Sequence, residues 1–204
     1  QFKAFYTFSI VRIISGKYKG RRISPPKNLP VRPTTDMSKE ALFNVLRNHF
    51  SFDGLKVLDL FSGTGNISYE FASRGSDNIT CVDGDFGCVK FIKQTATEFD
   101  FNIAAVKSDV LKFIERCNAK YDIIFADPPY AFEQKIFDKI VIDIFDRNLL
   151  EDEGMMIIEH SKYTKLDHLT HFSFKKSYGG SIFSFFEITS NREETVKDNS
   201  GEEE

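Results

Sequence analysis

Three acidic residues follow apolar runs that predict successive strands. They are Asp59, Asp83 and Asp109, near the ends of runs 56–60, 78–82 and 103–106. Taken singly, each acid could simply cap the helix that follows it. In a parallel sheet, however, the carboxyl ends of the strands meet at one edge, where ligands bind. Three acids at matching strand ends therefore predict a shared ligand site.

The first acid leads directly into a glycine-rich turn. Leu60, Phe61, Ser62, Gly63, Thr64 and Gly65 follow Asp59 and precede a predicted helix at 66–74. Gly63 and Gly65 allow a tight turn with close approach of the backbone to a ligand. The helix that follows directs its free N–H groups to the same space. Because Ser68 occupies the third glycine position, a dinucleotide pyrophosphate site is disfavoured, and the acid suits a cationic or amine-bearing ligand.

The spacing of the next two acids fits an adenosine group. Asp83 lies 18 residues after Gly65, close to the spacing at which an acid accepts both ribose hydroxyls. Asp109 can accept a hydrogen bond from the exocyclic amine of the adenine. These two side chains are therefore candidate ligands for the sugar and the base.

The most specific motif is Asp127-Pro128-Pro129-Tyr130, at the end of the apolar run 121–126. The two prolines fix an extended loop. The Asp127 carboxylate and the Pro128 carbonyl can accept hydrogen bonds from an exocyclic amine, while the Tyr130 ring can stack on a flipped or unpaired base. The loop could also be only a rigid turn. Together with the glycine-rich turn, it indicates transfer of a group to a nucleobase amine.

The elements that must position these residues alternate along the chain. Strands are predicted at 10–15, 21–24, 56–60, 78–82, 103–106, 121–126, 155–159, 172–176 and 182–188, and helices at 37–50, 66–74, 86–99, 110–117 and 133–148. Ser38 is the expected N-cap of the first helix. Alternating strands and helices predict a parallel sheet covered on both faces. The final pair of strands predicts a hairpin, so that one strand runs antiparallel to the rest.

Charge is distributed unevenly along the 204 residues. Residues 1–50 carry a net charge of +8, residues 51–188 carry −7, and residues 189–204 carry −4. A basic N-terminal region predicts a polyanionic partner, although a merely solvated charged surface would have the same composition. Lys17, Lys19, Arg21 and Arg22 crowd one predicted hairpin.

Cysteine usage and hydropathy exclude several classes of protein. Three cysteines without C-x-x-C spacing argue against a disulfide framework or a metal site and favour a reducing cytosol. No apolar run approaches the length that spans a membrane. We therefore expect a cytoplasmic protein without a metal.

Two motifs and several N-terminal segments carry a resemblance to a known family. The run from Asp59 to Gly65 resembles the first motif of class I S-adenosylmethionine methyltransferases, and Asp127 to Tyr130 resembles the fourth motif of those that act on exocyclic amines. Segments 12–16, 19–22, 32–36, 40–44, 158–161 and 176–179 resemble the RsmD family. Its members are bacterial small-subunit rRNA guanine-N2 methyltransferases. The resemblance covers residues 12–188.

The resemblance implies a Rossmann-like fold, α/β in class, with a seven-stranded mostly parallel sheet, one antiparallel strand and an N-terminal β-hairpin. It implies S-adenosylmethionine as cofactor, with these cofactor residues: Asp59, Phe61, Gly63 and Gly65 at the methionine, Asp83 at the ribose, and Gly84, Asp109 and Val110 at the adenine. Catalysis would fall to Asp127, Pro128, Pro129 and Tyr130. RNA would be held by Arg12, Lys17, Lys19, Arg21, Arg22 and Arg32.

Small-subunit rRNA or a ribosome assembly particle is the expected partner, and a monomer the expected state. Residues 1–11 are predicted to be upstream or disordered sequence, because Val11 stands where the family's initiator methionine would be. Residues 12–36 are predicted as a basic hairpin and connector, 37–188 as the methyltransferase domain, and 189–204 as a disordered acidic tail. Adenine-N6 methylation of DNA or RNA, a non-catalytic RNA-binding factor and a nicotinamide oxidoreductase are the alternatives.

Overall fold

A seven-stranded sheet with helices on both faces forms the body of the protein. The computed structural model describes residues 10–31 and 35–188. Three predicted features lie outside the described residues: residues 1–9 of the predicted N-terminal segment 1–11, the RNA-binding candidate Arg32 and the tail 189–204. None of the described helices combines the length and the apolar content needed to cross a membrane.

The predicted elements are present, with shifted ends at several of them. The strands are β1 Val11–Arg12, β2 Arg22–Ile23, β3 Lys56–Leu60, β4 Asn78–Asp83, β5 Ile103–Lys107, β6 Tyr121–Ala126, β7 Leu150–His160, β8 Phe172–Tyr178 and β9 Ser181–Glu187. The helices are α1 Asp36–Leu46, α2 Asn66–Arg74, α3 Phe86–Phe99, α4 Val110–Arg116 and α5 Gln134–Asp146.

The strand order places the switch in chain direction beside the glycine-rich turn. The order across the large sheet is β5-β4-β3-β6-β7-β9-β8, so the chain leaves β3 in one direction and later returns to its other side with β6. Strands β3 to β7 pair in parallel, whereas β9 pairs antiparallel with both β7 and β8. The predicted single antiparallel strand is therefore confirmed as β9.

Two apolar layers hold the sheet between its helices. Because side chains alternate along a strand, Val57 packs on the face covered by α1, α2 and α3, whereas Leu58 packs on the face covered by α4 and α5. Both residues are fully buried. Continuous apolar strands of this kind are expected where both faces of a parallel sheet are covered.

The N-terminal hairpin forms, but its paired strands are much shorter than the sequence predicts. Only Val11 pairs with Ile23 and Arg12 with Arg22, whereas strands at 10–15 and 21–24 were expected. The reason is that the N–H groups of Ile14 and Ser15 donate to Glu70 of α2, at 2.9 and 3.0 Å. Val11 was assigned by sequence to an N-terminal segment outside the domain, yet it is buried in β1.

Two other boundaries differ for local reasons. Thr35, not Ser38, is the N-cap of α1, because its side chain accepts a hydrogen bond from the Ser38 N–H at 3.1 Å. Strand β7 begins at Leu150 rather than at residue 155. An irregularity in its pairing with β6 lets Leu150 pair with Tyr121 before regular pairing resumes at Met155.

Candidate active site

A cavity of about 490 Å³ opens where β3, β4, β5 and β6 end. Of the twelve residues predicted for cofactor binding and catalysis, eleven line it: Asp59, Phe61, Gly63, Asp83, Gly84, Asp109, Val110, Asp127, Pro128, Pro129 and Tyr130. The volume lies within the range of small-molecule sites, roughly 300–1,000 Å³. Residues spread over 72 positions of sequence thus meet in one space, as the strand-end positions predicted.

Gly65 is the predicted cofactor residue that does not line the cavity. It caps the N-terminus of α2 with a left-handed φ of 81°. A Cβ at this position would lie 2.8 Å from the ring of Tyr69, which is fully buried behind the turn. Gly65 is therefore needed for the shape and packing of the turn rather than as part of the cavity wall.

Phe61 adopts a conformation that side-chain-bearing residues rarely take. Its φ is 59°, in the left-handed region that costs a residue with a Cβ of the order of 1–3 kcal/mol. Its ring contacts Phe132 in an edge-on arrangement, with centroids 5.9 Å apart, and both rings line the cavity. Strained residues of this kind concentrate at ligand sites.

Asp83 joins the glycine-rich turn to the end of β4. One of its oxygens accepts the Gly63 N–H and the other accepts the Asp85 N–H, each at 2.8 Å. Burial raises the pKa of this carboxyl, and the two N–H donors work in the opposite direction. An ionised carboxylate offers about four acceptor positions. Two therefore remain for ribose hydroxyls.

Asp59 lies deeper than the other acids. It is 1% exposed, and the Ser68 hydroxyl donates to it at 2.6 Å. Burial raises the pKa of Asp59 to about 7, the charge of Asp83 raises it further, and the Ser68 hydrogen bonds oppose the shift. A nearby cation would favour the charged form. Ser68, which counted against a pyrophosphate site, thus supports an acid that can hold an ammonium group.

Asp109 both caps α4 and lines the cavity. Its carboxylate caps α4 by accepting the Lys112 N–H at 3.0 Å, as a strand-end acid alone would predict. It also lines the cavity beside Val110. On the other side, apart from its chain neighbours, a Cβ at Gly84 would have only the Ser108 carbonyl within 4 Å among the described residues, at 3.9 Å. The space between Gly84 and Val110 is therefore open to a flat ring.

The Asp127-Pro128-Pro129-Tyr130 loop forms the remaining wall. The Asp127 N–H donates to the Leu60 carbonyl at 3.3 Å, which ties the loop to the end of β3, and the Pro129 carbonyl accepts the Phe132 N–H at 2.9 Å. Pro128 is buried, whereas Pro129 and Tyr130 are exposed. The loop therefore presents a flat aromatic side chain at the mouth of a cavity whose inner wall is fixed.

Two residues that the sequence did not single out hold the Tyr130 hydroxyl. It lies 3.1 Å from the hydroxyl of Ser181, which in turn donates to Glu159 at 2.7 Å. Glu159 is 2% exposed. Because Glu159 lies near the end of β7, beside β6, the sequence could have predicted that it lies close to the Asp127–Tyr130 loop. No local pattern in the sequence predicts that Ser181 contacts this loop.

Part of the cavity wall comes from the N-terminal region, which the sequence did not assign to the cofactor site. Val11, Pro30 and Val31 line it. Val31 packs on the glycine-rich turn, 3.3 Å from where a Cβ of Gly63 would be. The described part of the connector that follows the basic hairpin therefore lies over the glycine-rich turn at Val31.

The electrostatic character of the cavity selects its ligand. Five aspartates line it, namely Asp59, Asp83, Asp85, Asp109 and Asp127, and no lysine or arginine does among residues 10–31 and 35–188. An anionic pyrophosphate would be repelled from such a surface, whereas a sulfonium and an ammonium group would be attracted. The residues present fit S-adenosylmethionine.

The basic residues of the hairpin lie on the surface. Lys17, Lys19, Arg21 and Arg22 are exposed, with the Lys17 ammonium 5.1 Å from the centre of the Tyr18 ring. Arg12 instead pairs with Asp36 at 2.7 Å, so its charge is partly balanced.

The doubly wound sheet and the acid-lined cavity at its switch point define a class I S-adenosylmethionine-dependent methyltransferase. A family model described as "Conserved hypothetical protein 95" matches residues 11–187. The chain belongs to this family, the RsmD family, as the motifs predicted.

Individual relatives agree with this assignment. YlbH of Bacillus subtilis (strain 168), described provisionally as an rRNA methyltransferase, is 33% identical over 162 residues, which cover 76% of this chain and 85% of that protein. Ribosomal RNA small subunit methyltransferase D of Escherichia coli (strain K12) is 31% identical over 150 residues, covering 73% and 74%. The solved structure of the hypothetical protein TTHA0928 of Thermus thermophilus matches with a TM-score of 0.75 and 25% identity, over 87% of this chain and 99% of that one.

Proposed function

We propose that the protein transfers a methyl group from S-adenosylmethionine to the exocyclic N2 of a guanine in small-subunit rRNA. The observation that carries the proposal is the cavity, in which the Asp127–Tyr130 loop faces the residues suited to an adenosine and a methionine group. The name of the E. coli relative, a small-subunit rRNA methyltransferase, supports this class of substrate.

The cofactor is held by one set of side chains. Asp83 accepts the ribose hydroxyls, Gly84, Asp109 and Val110 flank the adenine, and Asp59 accepts the ammonium of the methionine. Phe61 and Gly63 complete the wall on the methionine side. S-adenosylmethionine supplies an electrophilic methyl group on a positively charged sulfur.

The Asp127–Tyr130 loop acts on the target base. Tyr130 stacks on the extruded guanine, while the Asp127 carboxylate and the Pro128 carbonyl accept the N–H bonds of its amine. Positive charge develops on that nitrogen as its bond to the methyl carbon forms and the bond from this carbon to sulfur breaks, which leaves neutral S-adenosylhomocysteine. The nitrogen then loses one proton, which the Asp127 carboxylate can accept. A carboxylate stabilises this positively charged transition state more than it stabilises the ground state, in which the base is neutral. Such differential stabilisation lowers the barrier.

The basic hairpin binds the RNA around the target nucleotide through Arg12, Lys17, Lys19, Arg21 and Arg22. Arg32, which follows the hairpin in sequence, also binds the RNA. The partner is naked rRNA or an assembly particle, and the enzyme acts as a cytoplasmic monomer. Residues 12–36 serve as the RNA-binding hairpin and connector, and residues 37–188 as the methyltransferase domain.

Transfer of labelled methyl groups tests this proposal. Small subunits and naked small-subunit rRNA from a strain that lacks the enzyme should both be assayed, with the product digested to nucleosides. N2-methylguanosine is the expected product. N6-methyladenosine would assign the adenine-specific alternative, and cofactor binding without transfer to either RNA would indicate a non-catalytic factor.

A substitution at Asp127 tests the chemical role within the same assay. Asp127→Asn keeps the shape but removes the charge, so the single-turnover rate should fall at least about a hundredfold, as on loss of a preorganised electrostatic partner. Cofactor affinity should stay near normal. Asp122→Asn, at the opposite end of β6 where Asp122 accepts the Lys56 N–H, is the matched control. A near-wild-type rate in Asp127→Asn would leave the Pro128 carbonyl as the acceptor.

A further inference from the structure

A second recess lies on the sheet edge, outside the active site. This α1–β8 groove has a volume of about 560 Å³ and is walled by Asn44, Asn48, His49, Phe174, Lys176 and Tyr178. Ala41 and Val45 of α1 complete it. The rings of His49 and Phe174 are nearly parallel, with an interplanar angle of 20° and centroids 6.3 Å apart. The groove thus combines flat rings with amide groups.

The described lining of the groove lacks the excess of acidic residues found in the body of the protein. Residues 51–188 carry a net charge of −7, yet of the described residues that line the groove none bears a carboxylate, and Lys176 contributes an exposed ammonium. Side-chain amides read the edges of unpaired bases, aromatic rings stack on them, and an ammonium pairs with phosphate. This set of groups matches single-stranded RNA.

One turn of the chain, from Tyr178 to Ser181, separates the groove from the mouth of the active site. Tyr178 ends β8 in the groove, and Ser181 begins β9 with its hydroxyl 3.1 Å from that of Tyr130. Between them, Gly179 packs against α1: a Cβ there would lie 3.1 Å from the Met37 side chain and 3.4 Å from the Ser38 hydroxyl. An RNA strand whose target base stacks on Tyr130 therefore needs to cross only the turn between Ser181 and Tyr178 to reach the groove.

We propose that the α1–β8 groove binds the single-stranded RNA that flanks the methylated nucleotide. The inference rests on the proposed function, because it extends the same RNA from the active site. From Ala41 to Leu46, its last residue, α1 rises roughly 7.5 Å, and stacked nucleotides rise about 3.4 Å each. This side of the groove therefore accommodates about two nucleotides.

Adjacent lysines of β8 provide the test and its control. Lys176 lines the groove, whereas Lys175 points to the other face of the strand and pairs with Asp167 at 2.9 Å. Both are exposed, so Lys176→Ala and Lys175→Ala should both fold. Binding to naked small-subunit rRNA is measured across a salt series. The log–log salt slope should decrease in magnitude by about 0.7 in Lys176→Ala, as expected when one phosphate of a single strand is no longer neutralised.

Methyl transfer by the same variants separates this proposal from the proposed function. Lys176→Ala should raise the KM for rRNA severalfold, with kcat and cofactor affinity unchanged, and Asn48→Ala should raise the same KM. Lys175→Ala should match the wild type. If the wild type methylates rRNA and both lysine variants behave alike, the groove is not an RNA subsite although the function stands. If the wild type neither binds nor methylates small-subunit rRNA, whether naked or assembled in small subunits, both proposals fail.

Discussion

The Asp59 carboxyl is the buried acid of the cofactor cavity whose protonation state can change near neutral pH. Its pKa is raised to about 7, chiefly by burial, from roughly 3.9 in an unfolded chain. Because the folded state binds this proton more tightly, the stability that it contributes is fully present below about pH 4 and is lost as the pH rises through 7. A cationic ligand lowers the pKa of Asp59, because it binds the ionised form of the carboxyl.

Cofactor affinity should therefore depend on Asp59 below neutral pH. As pH falls from 7 to 5.5, the affinity of the wild type for S-adenosylmethionine should decrease, by at most about tenfold per unit. This range lies below the pKa of an α-amino group, roughly 7.7–8.0. Calorimetry of the wild type and of Asp59→Asn measures it. Affinity in Asp59→Asn should be lower and less dependent on pH; the same dependence in both proteins would exclude Asp59 as its source.

The hydroxyl contact between Tyr130 and Ser181 should position the aromatic ring for the target base. Tyr130→Phe and Ser181→Ala should each weaken productive RNA binding and slow single-turnover transfer. Because both remove the hydrogen bond between the two hydroxyls, and each also removes a contact with Glu159, their effects should be less than additive, with a coupling free energy within about 0.5–3 kcal/mol. Ser177→Ala, at an exposed serine of β8, is the control. Strictly additive effects would mean that the two hydroxyls act independently.

At the scale of elements, the basic hairpin is joined to α2 by buried charge. Glu70 is fully buried and accepts hydrogen bonds from Ile14, Ser15 and Arg74. Lys39 of α1 is also fully buried, lies 3.4 Å from Glu70, and donates to the Arg12 carbonyl at 2.5 Å and to the Asn66 side chain at 2.7 Å. Burial lowers the pKa of Lys39, and Glu70 opposes that shift. The hairpin, α1 and the start of α2 thus share one polar network.

Removing one partner of this network should cost far more than removing a surface pair. Glu70→Ala leaves Lys39 buried without its counter-ion, so the free energy of unfolding should fall by about 3–5 kcal/mol. Glu133→Ala removes an exposed pair with Lys135 and should cost about 0–1 kcal/mol. Urea denaturation measures both. Equal losses in the two variants would show that Glu70 does not hold the hairpin.

The elements that sequence predicted well are those whose patterns are local. Strand-end acids such as Asp59 and Asp83 could be placed at one site because parallel strands end at a common edge. By contrast, the short β1 depends on Glu70, the wall residue Val31 on a turn more than 30 residues away, and Ser181 on a loop 51 residues away. No local pattern records such contacts, since tertiary packing decides them.

At the scale of the whole molecule, charge is separated between a basic N-terminal region and an acidic body. RNA affinity should therefore depend on the exposed cations of the hairpin. Replacing Lys19, Arg21 and Arg22 together with Ala should decrease the magnitude of the log–log salt slope for rRNA binding, by about 0.7–0.9 for each phosphate that the variant no longer neutralises. Cofactor affinity should be unchanged. A slope equal to that of the wild type would mean that these side chains are only solvated.

The attachment of the hairpin to later parts of the chain has a consequence for synthesis. The Tyr18 hydroxyl donates to the Phe99 carbonyl, 81 residues further along, and Gly16 packs so closely on α2 that a Cβ would overlap the Ser73 carbonyl. At about 5–20 residues per second, a ribosome needs roughly 4–16 s to make that intervening stretch. The hairpin is therefore translated several seconds before the surface on which it rests, and it can reach its final place only after α2 and α3 exist.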